Sequence, residues 1–598
     1  MPGTAKKDVF VAPQIAARSK EDLLDILLKN RGIEGKEREK FLNPDFTRDT
    51  YDPFLIKDME KAAERLILGF SRNEKIAIYT DYDCDGGPAG VVLHDFFRKI
   101  GYENFFNYIP HRHKEGYGVN QGAVEKFVKE GVTLMVTADV GITDLESIKL
   151  AQEFGIDVIV TDHHLPVLLE SDDRETELLP QAFAVINSKQ KGDSYPDPML
   201  CGCAVAWKLV CAVIKKAKSY EKNPAFPSGQ IVENIKNIPE GWEKWLLDLV
   251  GISTIADMVP LQNENRALAY FGLKVLRKSP RLGLQKLLRE VRINQETLSE
   301  EDISFMIAPR LNAASRMDNP MEAFKLLATT DEAEAEVLAE HLHNLNDNRK
   351  TSVAAIMREI NAELHGSELG DVVVMGNPLW SPGVLGLLAS RITEVYERPA
   401  FVWGRGDGEI IKGSSRSDGT VNIVDVMVNV RENFFLHVGG HEQAGGFSIS
   451  FENVHTLEEE LSRAFLKVKK LPVVENEGKV DCVLAMEKVN RATWGEVAQL
   501  APFGVGNPKP LFLFEKAAPF LVKHFGKEKN HLELSFRTSE GRIVKAIGFF
   551  MGAHHFEKER GVIFAEGVPV DLTANIELSR FMGREEIRLR IIDVRPCM

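Results

Sequence analysis

Ile76-Ala77-Ile78-Tyr79-Thr80-Asp81-Tyr82-Asp83-Cys84-Asp85-Gly86 joins five strand-forming residues to a run of alternating carboxylates and a glycine. The same design recurs twice: Leu134 to Thr137 runs into Ala138-Asp139-Val140-Gly141, and Val158 to Thr161 into Asp162-His163-His164. Helix-like stretches at 88–100, 120–130 and 145–154 follow these segments. Continuously apolar strands with crossover helices between them predict a parallel sheet covered on both faces. A further run, Ala182 to Ile186, ends in Asn187-Ser188-Lys189 and is expected to extend that sheet. Ligands bind outside the carboxyl ends of such strands, so the three acidic clusters are expected to converge on one crevice.

Asp81, Asp83 and Asp85 repel one another at close range unless a cation neutralises them. Taken alone, the triplet reads equally well as a solvated loop, and Asp139 as a helix cap; the spaced ligands and closing glutamate of an EF-hand are missing. Asp162-His163-His164 changes the balance by adding imidazoles to the same sheet edge. With Asp257, in Ala256-Asp257-Met258-Val259-Pro260, the donor set is carboxylate and imidazole without thiolate. That mixture suits two divalent cations, Mn²⁺ or Mg²⁺. Two such ions about 3.5 to 4 Å apart activate water and clamp the attacking and leaving oxygens of a phosphoester. Cys201-Gly202-Cys203 has no partner pair at zinc-ribbon spacing and is read as helix-start packing.

The 598 residues are enough for about four domains. Lys and Arg (74) against Asp and Glu (88) give a net charge of −14, which argues against coating nucleic acid through overall charge but leaves room for a local basic channel. Six irregularly spaced cysteines fit a reducing compartment. With no signal-peptide-like start and no apolar run of membrane-spanning length, the expected location is cytoplasmic, away from any membrane. From about Asp331 to Leu364 the chain lacks Pro and Gly and is rich in Ala and Glu, predicting a long connecting helix. Strand and helix signals alternate again to about Lys470, with Gly-rich turns at Gly413-Ser414-Ser415-Arg416-Ser417 and His437-Val438-Gly439-Gly440-His441. Bare backbone beside a guanidinium, hydroxyls and imidazoles suits phosphate binding, although each segment alone could be only a tight turn. Beyond Leu471, short strands with frequent turns predict a small β-barrel.

Asp83-x-Asp85, Asp139, Asp162-His163-His164 and Asp257, in that order, resemble the motifs of the DHH phosphoesterases. Ile109-Pro110-His111-Arg112 with Glu115-Gly116-Tyr117-Gly118, Pro309-Arg310-Leu311-Asn312, Gly383-Val384-Leu385-Gly386, Gly439-Gly440-His441 and Pro502-Phe503-Gly504-Val505-Gly506-Asn507-Pro508 narrow the similarity to the RecJ-type single-strand-specific exonucleases. It runs from about Leu27 onward. The chain departs from the commoner members in Gly87-Pro88-Ala89-Gly90, where small hydroxyl residues are usual, and in His111 and His113 beside Arg112.

The resemblance implies an α/β chain with a parallel-sheet DHH domain (71–330), a connecting helix (331–365), a smaller α/β DHHA1 substrate-binding domain (366–470) and a C-terminal OB-fold barrel (471–598). An N-terminal segment (1–70) is expected to pack on the catalytic domain. Asp81, Asp83, Asp85, Asp139, Asp162, His163 and Asp257 are the expected metal ligands. Asp139, Asp162 and His164 are the expected catalytic groups. Arg112, Arg310, Arg316, Ser415, Arg416, Gly439, Gly440 and His441 are expected to grip phosphates. The implied reaction is stepwise 5′-to-3′ hydrolysis of single-stranded DNA in repair and recombination, with a single-strand-binding protein or a helicase as partner. The alternatives are cleavage of short RNA or cyclic dinucleotides and a non-catalytic replication scaffold; intact carboxylates argue against the latter, and the extra barrel against the former. Phe503, Phe512, Phe514, Phe536 and Phe549 lie in the barrel region, most of them read as core.

Overall fold

The computed structural model describes residues 22–171, 174–219, 227–366, 368–406, 410–471, 480–526, 529–549, 551, 564–581 and 584–597. They form two compact units, one built from residues 50–259 and 263–471 and the other from 22–49, 260–262 and 480–597.

In the first unit, β1 (Ile76–Thr80), β2 (Phe105–Tyr108), β3 (Leu134–Ala138), β4 (Asp157–Thr161) and, beyond a hairpin of β5 (Val167–Ser171) and β6 (Arg174–Leu178), β7 (Ala184–Ile186) make the expected parallel sheet. Its order is β2-β1-β3-β4-β7. Every residue of β1 and β3 is buried, as a sheet covered on both faces requires. One face packs on Phe127, Ile148 and Ala151, and the helix Gly86–Lys99 supplies buried Val91, Val92 and Phe97. The half-buried β2 carries no continuous apolar run, so its edge position is a structural finding that the sequence pattern does not reveal.

Thr80 pairs with Ala138, Ala138 with Thr161, and Thr161 with Ile186. The next residues, Asp81, Asp139, Asp162 and Asn187, therefore leave four adjacent strands at one level. The sheet register brings together acids up to 81 residues apart in sequence.

A 33-residue helix, Glu332–Leu364, begins at an Asp331 N-cap whose side chain accepts from Glu334 N, as its composition predicts. It leads into a second sheet of β8 (Val373–Asn377), β9 (Ala400–Arg405), β10 (Ile410–Arg416), β11 (His437–His441) and β12 (Ala444–Ser450), ordered β11-β12-β10-β9-β8. The helix Pro382–Tyr396 covers one face of this sheet through Val384, Leu388 and Ile392; Val426, Leu461 and Phe465 cover the other.

In the second unit, β13 (Cys482–Val483), β14 (Phe512–Ala517), β15 (Leu521–Phe525), β16 (His531–Arg537), β17 (Ile543–Gly548), β18 (Val570–Phe581) and β19 (Arg584–Pro596) share one sheet and one core. Phe512, Phe514 and Phe536 are buried in that core and Phe503 packs against it. The expected N-terminal segment is corrected here. Residues 1–21 lie outside the described residues. Leu24, Leu27 and Leu28 of the helix Leu23–Asn30 enter the barrel core rather than the catalytic domain. Arg31 reinforces this attachment, donating to Asn507 Oδ1 at 3.2 Å and to the Pro508 carbonyl at 2.7 Å. Residues 50–71 alone join the catalytic lobe. Among the described residues no helix is long and apolar enough to cross a membrane.

Candidate metal centre and phosphate cradle

Asp81, Asp85, Asp139, Asp162 and His163 are all buried at the carboxyl edge of the first sheet. His163 is central. Its Nε2 lies 3.1 Å from Asp139 Oδ1 and 3.6 Å from Asp85 Oδ2, and its Nδ1 lies 3.7 Å from Asp257 Oδ2. Asp257 arrives from outside the sheet, at the C-cap of the helix Leu247–Ala256. Donor atoms of Asp81, Asp83 and Asp139 lie within 4.8 Å of one another, and so do those of Asp85, His163 and Asp257. Asp139 and His163, with His164, form a third such group that links the first two. Asp81 Oδ1, Asp139 Oδ1 and His163 Nδ1 are buried without hydrogen-bond partners. Orphaned oxygens and an imidazole nitrogen in two neighbouring groups fit two hard-to-intermediate divalent cations. Asp318, Glu322 and His341 form a further group that is more exposed and closed by a 2.8 Å pair between His341 and Glu322.

Backbone groups hold the carboxylates in place. Asp85 accepts from Gly202 N at 2.6 Å and Cys203 N at 2.8 Å, at the start of the helix Gly202–Ser219, so the Cys-Gly-Cys segment anchors a ligand. Asp83 Oδ1 accepts from Asp85 N at 2.7 Å. Asp139 has φ +64°, a strained value for a non-glycine residue. A Cβ at Gly202 would sit 2.6 Å from Asp139 Cβ. Gly202→Ala is therefore expected to displace Asp139 and weaken metal affinity by about tenfold to 10²-fold, checked by the Mn²⁺ dependence of the rate.

Asp162, an expected ligand and catalytic group, has its oxygens taken up by other donors. Its Oδ1 accepts from His163 N at 2.7 Å, His164 N at 3.1 Å and His164 Nδ1 at 2.7 Å, and its Oδ2 from Ile142 N at 2.9 Å. It belongs to none of the candidate metal groups. Burial pushes its carboxyl up, but the His164 hydrogen bond and charge with the backbone donors bring it below the ordinary range. Burial alone would lower His164; Asp162, then Asp257 and Asp81, raise it to about 9. Burial, followed by the charges of Asp85, Asp83 and Asp81, drives Asp139 well up, while burial and the positive His164 lower His163. Two further residues, neither among the expected site residues, support His164. Asn187 Nδ2 donates to the His164 carbonyl at 2.8 Å, and the Tyr117 hydroxyl lies 3.4 Å from His164 Nδ1.

Arg112 stacks on Tyr82, with 4.9 Å from guanidinium carbon to ring centroid. Burial lowers the pKa of Arg316 to about 10, helped by the like charges of Arg112, Arg349 and Arg416, with Asp83 acting in the opposite sense. Arg316 thus lies within electrostatic reach of three other guanidiniums and of Asp83, and among the described residues none of the four has a carboxylate ion pair. Arg349, on the long helix, is a residue that no sequence motif marks. Arg310 is placed differently from expectation: it is 2% exposed and donates to the Met306 carbonyl at 2.7 Å and His343 Nδ1 at 3.2 Å, supporting its helix.

Ser415 is also corrected. Side chains alternate along β10, and Ser415 is fully buried with its hydroxyl toward Met427 Sδ at 3.8 Å. Ser414 shares the other face with Lys412 and Arg416, whose Nη1 donates to Ser414 Oγ at 3.4 Å. A Cβ at Gly386, in the first turns of the helix Pro382–Tyr396, would lie 3.1 Å from Ser414 Oγ and 3.3 Å from Arg416 Nη2. This helix start, bare backbone and guanidinium have the chemistry of an anion cradle. Gly440, at φ +142°, faces Gly445 across β11 and β12, where a Cβ would strike the Ala444 carbonyl at 2.3 Å. Burial lowers His441, and the charges of Arg416 and His164 lower it further. Ser414→Ala is expected to raise KM for DNA by about fivefold to tenfold with little change in melting temperature. Ser415→Ala should leave KM unchanged, and steady-state kinetics on one oligonucleotide separates the two.

On the barrel, the half-buried Phe549 has Arg590 at 4.9 Å and Arg588 at 5.9 Å from its centroid, with His531 5.5 Å away ring to ring.

The chain matches the DHH family N-terminal domain over residues 75–232, the DHHA1 domain over 369–467 and the RecJ OB domain over 480–593. The single-stranded-DNA-specific exonuclease RecJ of Bacillus subtilis is 33% identical over 96% of this chain and 67% of its own. The Escherichia coli protein of the same name is 31% identical over 90% and 91%. The crystal structure of RecJ in complex with Mn²⁺ from Thermus thermophilus aligns with a TM-score of 0.74 at 26% identity, over 96% of this chain and 76% of that one.

Proposed function

The chain belongs to the RecJ family of single-stranded-DNA-specific exonucleases, and from that membership we propose that it removes nucleotides one at a time from the 5′ end of single-stranded DNA, using two Mn²⁺ or Mg²⁺ ions. The observation that carries this reading is the pair of donor groups linked through a third that contains Asp139 and His163. When bound, the two ions supply an activated water and Lewis-acid stabilisation of the phosphoryl oxygens. Asp81, Asp83, Asp85, Asp139, His163 and Asp257 hold them. His164, fixed through Nδ1 by Asp162, presents Nε2 to the charge that develops on phosphate or leaving oxygen. Arg112, Arg316, Arg349 and Arg416, with Ser414 and the Gly439-Gly440 backbone, grip the strand's phosphates. The barrel offers its own single-strand surface in Phe549 and its arginines. Such an activity serves DNA repair and recombination, where a single-strand-binding protein or a helicase would present the strand.

The test is Mn²⁺-dependent digestion of a single-stranded oligonucleotide labelled at one end or the other, beside its duplex and the matching RNA. Mononucleotide release from the 5′ end of the single strand alone is expected. Preferential loss of short RNA or cyclic dinucleotides would assign a different substrate to the same centre, and binding without any cleavage would favour a scaffold.

A further inference from the structure

Among the described residues Arg112, Arg316, Arg349 and Arg416 have no carboxylate ion pair, and the like charges that act on Arg316 repel it, so something in the fold must hold them near one another. Their supports come from different elements: Arg112 from the loop after β2, Arg316 from the end of the helix Ala308–Met317, Arg349 from the long helix and Arg416 from β10. Three of these supports meet at His113. Its Nε2 donates to the Arg316 carbonyl at 3.0 Å, its own carbonyl accepts from Lys412 Nζ at 2.9 Å, and its backbone N donates to His111 Nδ1 at 3.2 Å. Lys412 lies on the same face of β10 as Ser414 and Arg416. The seam is tight, since a Cβ at Gly383 of the second lobe would lie 1.9 Å from that same Arg316 carbonyl.

We propose that His113 is a positioning residue, a latch that ties the Arg112 loop to the carbonyl end of the Arg316 helix and, through Lys412, to the phosphate-cradling strand of the second lobe. It touches neither the metal centre nor the cradle; it acts on the strand through Arg112, Arg316 and Arg416. The arginines are thereby converged before DNA arrives, so that the like-charge repulsion is met by fold contacts rather than by binding energy. This inference rests on the reading of those arginines as phosphate grips.

The experiment measures KM and kcat on one single-stranded oligonucleotide for His113→Leu, His113→Gln and Lys412→Met in the full chain, with Arg112→Ala as reference and melting temperatures alongside. His113→Leu removes the Nε2 donor, and KM is expected to rise about tenfold while kcat at saturating DNA stays within about twofold. Gln keeps an amide N–H at similar reach and is expected to restore most of the affinity. Lys412→Met opens the latch from the other lobe, and its effect should fall short of additive with that of His113→Leu because both break one clamp. The latch is overturned if Arg112→Ala raises KM while His113→Leu does not, if Gln is as impaired as Leu, or if kcat falls in step with melting temperature. Should Arg112→Ala also leave KM unchanged, the arginine reading itself fails.

Discussion

Asparagine at position 139 is expected to slow cleavage by on the order of 10³-fold, since Asp139 is common to two of the three donor groups and each factor of ten needs only about 1.4 kcal/mol of lost transition-state stabilisation. The same substitution should raise the melting temperature of the metal-free protein by several degrees. Asp139 is 2% exposed, its Oδ1 has no hydrogen-bond partner, its backbone is strained, and Asp81, Asp83 and Asp85 surround it. A neutral amide of the same shape relieves the repulsion. Addition of Mn²⁺ should reverse the order, because a ligand that binds only the folded state stabilises it by about 2.7 kcal/mol at 100 times its Kd, and the variant forfeits much of that gain. Calorimetry of both proteins with and without Mn²⁺ checks the crossover. A variant less stable than the parent in both conditions would mean that Asp139 is held by contacts other than the metals.

Removing the aromatic platform of the barrel is expected to have the second-largest effect. Phe549→Ala with Arg590→Ala deletes the ring and the guanidinium 4.9 Å above its centroid. One lost base stack costs about 1 to 3 kcal/mol, so affinity for long strands should fall about tenfold to 10²-fold, and the salt dependence should flatten by less than one unit of slope. Cleavage of tri- and tetranucleotides should be unchanged, because so few nucleotides do not fill the site of an OB-fold. Fluorescence anisotropy across a salt series measures the first effect and initial rates on short substrates the second. A truncation meant to remove the barrel must also remove residues 22–49, whose Leu24, Leu27 and Leu28 would otherwise lose their core.

The catalytic sheet was legible because each acidic cluster directly follows a buried strand, and the strand pattern alone implies the shared edge. That logic does not reach Asp257, which comes from a helix end outside the sheet and is singled out by its place in the ordered family motifs. Ser414 and Ser415 show where local pattern stops being informative: both are small hydroxyl residues in one Gly-rich strand, and only the pairing of Ser415 with Gly445 and Phe401 decides which faces the core. Asp162 reads as a ligand by its place in Asp-His-His, yet backbone donors from two loops consume its oxygens. Gly202, Asn187 and Arg349 belong to residue types common everywhere, and their roles arise from contacts distant in sequence. The apolar helix Leu23–Asn30 announces a buried face without naming the core it enters; Asn30 meets the Asp481 carbonyl across 451 residues.

The two-metal centre is tested most directly by electron paramagnetic resonance of the full-length chain titrated with Mn²⁺, read beside Asp139→Asn. Two ions per chain, with the second filling accompanied by the spectral signature of a coupled pair about 3.5 to 4 Å apart, is the predicted result, and the variant should lose the coupling. A single isolated Mn²⁺ that supports full cleavage, or a coupled pair that survives in the variant, would contradict it.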